Sequence, residues 1–223
     1  MVSGWINDLQ LRLNGSSSDT INQIVNRAAW LSLDEGDNDL NSFLIYFIAA
    51  LQTVEPDIGL EPLAALQSSG AANNEAVLMA LLNELADLPQ SLILILDDYH
   101  VIENQSIDQA VTFLLDHLPA TMHLVIATRI EPPLPLPRLR GRGQLTELRV
   151  ADLRFTNEEA TIFLNQMMHL ELSAEDITAL GARTEGWITG LQLAALSLQE
   201  RDAAHVSRFI QSFNGLHHHI LDY

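Results

Sequence analysis

The 223-residue chain contains no cysteine and no lysine. Without cysteine it can form no disulfide and no thiolate metal site, which agrees with a reducing compartment. Without lysine, all 11 basic residues are arginine, and chemistry that needs an ammonium side chain has none to use. Basic charge is scarce altogether, since 29 acids leave a formal net charge of −18 at pH 7. Affinity for a nucleic-acid backbone comes chiefly from Lys and Arg displacing counterions, so this segment is expected to make no direct nucleic-acid contact. No apolar run approaches the roughly 18 residues of a membrane span, and no basic, apolar, small-residue leader opens the chain. No membrane partner is expected, and the expected compartment is the cytoplasm. Apolar residues make up 48% and charged residues 18%, the balance of a folded chain with a sizeable core.

Leu92-Ile93-Leu94-Ile95-Leu96-Asp97-Asp98-Tyr99-His100 is the most informative stretch. Five apolar residues after Pro89, ending in two acids, predict a strand buried on both faces of a parallel sheet, with its carboxylates at the C-terminal end. That edge is where open α/β sheets bind ligands. Apolar residues followed by Asp-Asp have the form of a Walker B strand, whose carboxylates hold Mg²⁺ and a water in P-loop NTPases. A solvated turn after a core strand gives the same pattern.

Other elements surround that strand. Helical spacing marks residues 1–13, through Val2, Trp5, Ile6, Leu9 and Leu13, and a second helix near Ile21, Ile24 and Val25. Residues 28–33 read as a strand, closed by the acidic loop Asp34-Glu35-Gly36-Asp37-Asn38-Asp39, which lacks the residue order and closing Glu of a calcium loop. Helices are predicted over 39–53, with Asp39 as cap, over 75–88, and along Ile107, Ala110, Val111, Leu114 and Leu115; a short one lies near 63–66. A strand over 122–127 delivers Thr128 and Arg129 to the same sheet edge. The proline-rich loop 131–137 should be extended, and 145–150 is expected to form a fourth strand. Beyond Ala151 only helices follow, opened by the capping signals Thr156-x-x-Glu159 and Ser173-x-x-Asp176 and continuing over 185–198 and 202–213. The helix over 185–198 should bury Trp187, Leu191, Ala194, Ala195 and Leu198. Trp5 and Trp30 are expected in the core or at a joint between domains.

Several blocks in fixed order resemble a known family. They are Trp30-Leu31-Ser32-Leu33-Asp34-Glu35-Gly36-Asp37-Asn38, Leu94 through His100, Val125-Ile126-Ala127-Thr128-Arg129, Arg138-Leu139-Arg140-Gly141-Arg142-Gly143-Gln144-Leu145 and Thr184-Glu185-Gly186-Trp187-Ile188-Thr189-Gly190-Leu191-Gln192. Together they are similar to the nucleotide-binding oligomerisation region of the large MalT-like, LuxR-type transcriptional regulators, of the STAND class of signal-transduction ATPases. The resemblance implies an α/β fold: the parallel sheet of a P-loop NTPase core over 1–150, a small all-α lid over 151–213, and the start of a winged-helix segment at 214–223. It implies that Asp97 binds Mg²⁺ through water, that Asp98 orients the attacking water, and that Arg129 senses the γ-phosphate. Gly190-Leu191-Gln192 resembles the Gly-x-Pro signature by which the lid touches adenine nucleotide, with Gln192 in place of the proline. Arg138, Arg140 and Arg142 would form a surface loop near the nucleotide edge.

The departure from the family is at the front. A P-loop supplies backbone N–H groups and a lysine to the phosphates, whereas Val2-Ser3-Gly4-Trp5-Ile6 resembles the helix after that turn, and no lysine exists. The Walker A turn and the first strand are therefore expected to be missing from this polypeptide, as an excised fragment or through a gene start upstream of Met1. ATP and Mg²⁺ are the implied cofactors of the intact parent, with none held tightly by this chain. The implied partners are other copies or other domains of the same regulator. With the first strand gone, strands 92–96 and 124–128 should pair directly, in preference to admitting a strand from another copy. Two alternatives stay open: a nucleotide-independent interaction or oligomerisation module, and a metal-hydrolase site built on Asp97, Asp98 and His100. His217-His218-His219 reads as native sequence followed by Ile220-Leu221 and not as a tag.

Overall fold

The computed structural model describes residues 27–68, 73–199, 209–210 and 213. The helices predicted over 1–13 and 21–25, most of that over 202–213, the segment 214–223 and the His217–His219 run lie outside the described residues. The chain divides into two compact units, 1–141 and 142–223.

The first unit is α/β. Its sheet has three parallel strands in the order β1 (Ala28–Ser32), β2 (Leu92–Asp97) and β3 (Met122–Ile126). Helices α1 (Leu40–Gln52), α2 (Leu60–Gln67) and α3 (Asn74–Ala86) connect β1 to β2, and α4 (Gln105–Asp116) connects β2 to β3. Strands β2 and β3 pair directly in an unbroken register, Leu92 opposite Met122 through Leu96 opposite Ile126. The expected direct pairing is what forms, and no other strand stands between them.

Burial on the sheet is one-sided. Leu92, Leu94 and Leu96 are wholly buried, as is Ala29 in register with Leu94. Ile93 and Ile95 are only half-buried, and Val125, beside Ile95, is 46% exposed. The prediction of a strand buried on both faces is corrected accordingly. Right-handed crossovers that step the same way across a sheet carry their helices to the same face. The steps from β1 to β2 to β3 therefore leave Trp30, Ile93, Ile95 and Val125 on the face that these helices do not cover.

Local sequence explains the helix ends. Asp39 accepts the Ser42 N–H at 2.9 Å, and that bond, with the Ser42 hydroxyl, holds its carboxyl below the ordinary range. The α1 stripe Phe43, Leu44, Phe47, Ile48 and Leu51 is buried. Helix α2 starts after Gly59, whose φ of 70° suits glycine and whose missing Cβ would stand 2.7 Å from Ile48 Cγ2.

Two expectations in the following stretch fail. The proline-rich loop is not extended throughout, because Leu136–Gly141 forms helix α5; Pro137 is tolerated in the first turn, where its missing N–H has no partner to lose. Arg138 and Arg140 thus lie on a helix and not on a surface loop, and Arg138 pairs with Asp116 at 2.5 Å. Residues 145–149 form no strand. A strand needs a ladder neighbour, and this segment has none among the described residues, with Leu148 60% exposed.

The second unit is helical in its described residues. Helix α6 (Val150–Leu153) is short, and α7 (Asn157–Thr161) opens with the predicted box of Thr156 and Glu159. The chain then runs on as a π-helix over Ile162–Met167, one residue wider per turn than an α-helix. Helix α8 (Ala174–Thr184) begins on the predicted Ser173 cap. Helix α9 (Ile188–Gln199) starts later than residue 185, because Glu185 and Gly186 both take left-handed backbone angles. Gly186 has no space for a Cβ, which would stand 2.9 Å from the Phe155 carbonyl oxygen, and its own carbonyl accepts the Phe155 N–H at 2.8 Å.

On α9, Leu191, Ala194 and Ala195 are fully buried and Leu198 nearly so, with Leu164 and Leu180 in the same core. Trp187 precedes the helix and is 39% exposed, so it does not belong to this face as expected. Leu191→Asp would bury an unpaired carboxylate and is expected to cost on the order of 4 kcal/mol. Denaturant unfolding of the variant checks this; an unchanged midpoint would mean the α9 face is solvated.

Candidate functional site at the carboxyl edge of the sheet

The two acids that end β2 are held by the neighbouring chain on each side. Leu33 donates its N–H to the Asp97 carbonyl at 3.1 Å, Ala127 donates to the Leu96 carbonyl at 2.9 Å, and Tyr99 donates to the Ala127 carbonyl at 3.0 Å. The ladder thus continues past the strand ends and fixes the turn that carries the acids. Asp97 shares the half-exposed face with Ile93 and Ile95, and its Oδ1 accepts the Asp98 N–H at 3.0 Å. Asp98 adopts a left-handed backbone (φ 54°, ψ 35°), a conformation Asp reaches more readily than most residues. The two neighbours in sequence are therefore not equivalent in the structure.

Tyr99 anchors the turn from below. Its ring is buried, and its hydroxyl donates to Asp108 Oδ1, on the first turns of α4, at 2.8 Å. Burial first, then the hydrogen bond and charge of Asp108, push the phenol pKa well above its ordinary value.

Asn38, in the acidic loop after β1, joins that loop to the one after β2. Its Nδ2 donates to the Val101 carbonyl at 2.9 Å, its Oδ1 accepts the Glu103 N–H at 2.7 Å, and its carbonyl accepts Asn104 Nδ2 at 2.8 Å. The acidic loop is itself built as a cap, with Asp34 N–H donating to Asp37 and Gly36 N–H donating to Asp34. Asp34, Asp37 and Asp39 thus each accept a backbone N–H within or just after the loop. Glu35, Asn38, His100, Val101, Glu103 and Asn104 line an open pocket of about 830 Å³ between these two loops.

Sequence reasoning identified the acid pair and missed the Asn38 and Tyr99–Asp108 bonds. An Asn closing an acidic loop, and an Asp nine residues after a buried Tyr, carry no signal until the loops are brought together. Arg129 leaves β3 at the same edge, exposed, just past the Ala127 link to Tyr99. Gly190 and Gln192 lie in the helical unit. Gly190 is buried where a Cβ would stand 2.9 Å from Thr184 Cβ and Cγ2, so close helix packing accounts for that glycine, while Gln192 is exposed.

The residues fit only part of the implied cofactor. Asp97 and Asp98 are hard oxygen donors suited to a hydrated Mg²⁺. The phosphates of ATP find no lysine in the 223 residues, so no hydrolytic step follows from these groups. Among the described residues, no group of three or more His, Asp or Glu is placed to hold a metal ion, Asp97, Asp98 and His100 included. No described helix is long and apolar enough to cross a membrane.

The described residues thus combine a parallel α/β unit, with an acid pair at the carboxyl edge of its sheet, and a helical unit. No family model matches the chain. The chain is 37% identical over 194 residues to the HTH-type transcriptional regulator MalT of Klebsiella pneumoniae strain 342, covering 86% of this chain and 22% of that protein. It is 38% identical over 175 residues to the regulator of that name from Serratia proteamaculans strain 568, and 36% identical over 175 residues to that from Yersinia enterocolitica; each match covers 78% of this chain and 19% of the relative. The chain thus spans about a fifth of the length of the curated relatives it matches.

Asn38→Ala leaves the Glu103 N–H and the Val101 carbonyl without their partner and is expected to cost about 2 kcal/mol. Chemical denaturation should show this, together with faster amide exchange at Glu103. For Tyr99 the folded pKa lies above the unfolded one, so its contribution is complete below about pH 10 and declines as pH rises further. Tyr99→Phe should cost about 2 kcal/mol at pH 7 and lose less stability than the parent between pH 9 and 11, measured by unfolding across that range.

Proposed function

We propose that the chain is a segment of a MalT-like, LuxR-type transcriptional regulator of the STAND class, corresponding to its nucleotide-binding oligomerisation region. The observation that carries this reading is the acid pair Asp97-Asp98 at the carboxyl end of the central parallel strand, in a chain 37% identical to named MalT regulators over most of its length. In this reading Asp97 holds Mg²⁺ through water, Asp98 orients the attacking water, and Arg129 answers to the γ-phosphate in the intact parent. Gly190 and Gln192 belong to a helical lid over the nucleotide. DNA contact belongs to another part of the parent, since the segment carries a net charge of −18. With no lysine for the phosphates, this polypeptide does not hold ATP tightly and is inactive as an ATPase.

A second reading, an interaction or oligomerisation module that works without nucleotide, is favoured by the half-exposed apolar sheet face of Trp30, Ile93, Ile95 and Val125. Other copies or domains of the same regulator are the partners it would take. Titration of the chain with ATP, with and without Mg²⁺, separates the two. The nucleotide-derived segment should bind ATP with Kd of roughly 1 mM or weaker, only with Mg²⁺, and lose that binding in Asp97→Asn. Absence of any Asp97-dependent binding would favour the second reading, and micromolar affinity would overturn the inference of a missing phosphate cradle.

A further inference from the structure

One ring nitrogen near the acid pair has no role in the site as described. His100 Nδ1 is shut off from solvent and makes no hydrogen bond, although the side chain as a whole is 21% exposed. Buried polar atoms in folded proteins almost always have a partner, and an orphan calls for an explanation. Asp98 Oδ1 stands 3.7 Å away, beyond hydrogen-bond distance but within a small side-chain adjustment of it.

The surroundings limit which group can move. Tyr99, between the two, is fixed by the Ala127 carbonyl and Asp108. Asn38 holds Val101 and Glu103, the residues that follow His100 in the turn. The Asp98 side chain is 46% exposed and caps no backbone N–H. At 3.7 Å and without a capping bond to hold it, this carboxylate can turn towards the buried nitrogen.

We propose that His100 is a positioning residue for Asp98, its Nδ1–H donating to Asp98 Oδ1 after a closure of about 1 Å. The bond places the ring proton on Nδ1 and leaves Nε2 as the acceptor. It also gives the two acids separate duties. Asp97 Oδ1 is engaged by the Asp98 N–H, and Asp98 Oδ1 by His100, so each carboxylate keeps one oxygen available in a fixed direction. The consequence for an attacking water rests on the nucleotide reading above; the hydrogen bond itself does not.

Histidine-ring NMR on the full chain tests this, with the His100 signals assigned among the eight histidines by their loss in His100→Gln. The expected result is a His100 ring protonated on Nδ1, with that proton exchanging about tenfold more slowly than in a solvated ring. Asp98→Ala should remove the protection. Asp98→Asn, which keeps an acceptor and the fold, should retain the Nδ1 proton and move it upfield, because the acceptor loses its charge. A His100 ring protonated on Nε2, or an Nδ1 proton indifferent to both Asp98 variants, overturns the proposal. ATP titration of the same sample reads the nucleotide assignment separately, since its failure leaves the His100 signal unaffected.

Discussion

Strand β2 has a hydrogen-bonded neighbour on each side, and the placement of every group at the carboxyl edge follows from that double ladder. An unpaired backbone group in the interior costs on the order of 1–3 kcal/mol, so a central strand without either neighbour would carry several such penalties. Here β1 and β3 satisfy both sides, and the bonds from Leu33, Ala127 and Tyr99 extend the pairing beyond the strands themselves. The acid pair therefore sits on a turn clamped between two other chain segments. Functional groups placed on such a support are held far more closely than groups on a free loop.

The same economy governs the loops. One Asn side chain gives both its amide donor and its amide acceptor to a segment 63 to 65 residues away, and a single Tyr hydroxyl ties the acid turn to the start of α4. These bonds use side chains to satisfy backbone groups that no sheet or helix reaches. What they leave unsatisfied, the Nδ1 of His100, stands beside the one carboxylate of the turn that has room to adjust.

In the helical unit, glycine positions are set by contact distance. Gly186 allows Phe155 to approach the α8–α9 turn, and Gly190 allows Thr184 to lie against α9. A Cβ at either site would meet another atom at 2.9 Å, so substitution there strains the packing of the unit. Any ligand role for Gly190 is additional to this one. The half-exposed sheet face of the first unit contrasts with that closed helical core: its apolar side chains follow from β propensity and register, and crossover handedness carries the described connecting helices to the opposite face.

Much of this was legible in the residues. The apolar run into Asp97 and Asp98 determined a central strand with acids at its end, the stripe from Phe43 to Leu51 determined α1, and Asp39, Thr156 and Ser173 marked helix starts, because local periodicity and capping act over a few residues. Long-range geometry was not legible. Residues 145–149 find no ladder neighbour among the described residues, Leu136-Pro137 enters a helix that proline's φ permits, and Trp187 stays half in solvent because Glu185 and Gly186 turn the chain before α9 begins. Composition alone decided that every basic side chain of the 223 residues, histidine aside, is an arginine. Only the tertiary structure brought Asn38 to Val101 and Glu103 and Tyr99 to Asp108, since hydrogen bonds between loops depend on where separate segments meet in space and leave no period in the sequence.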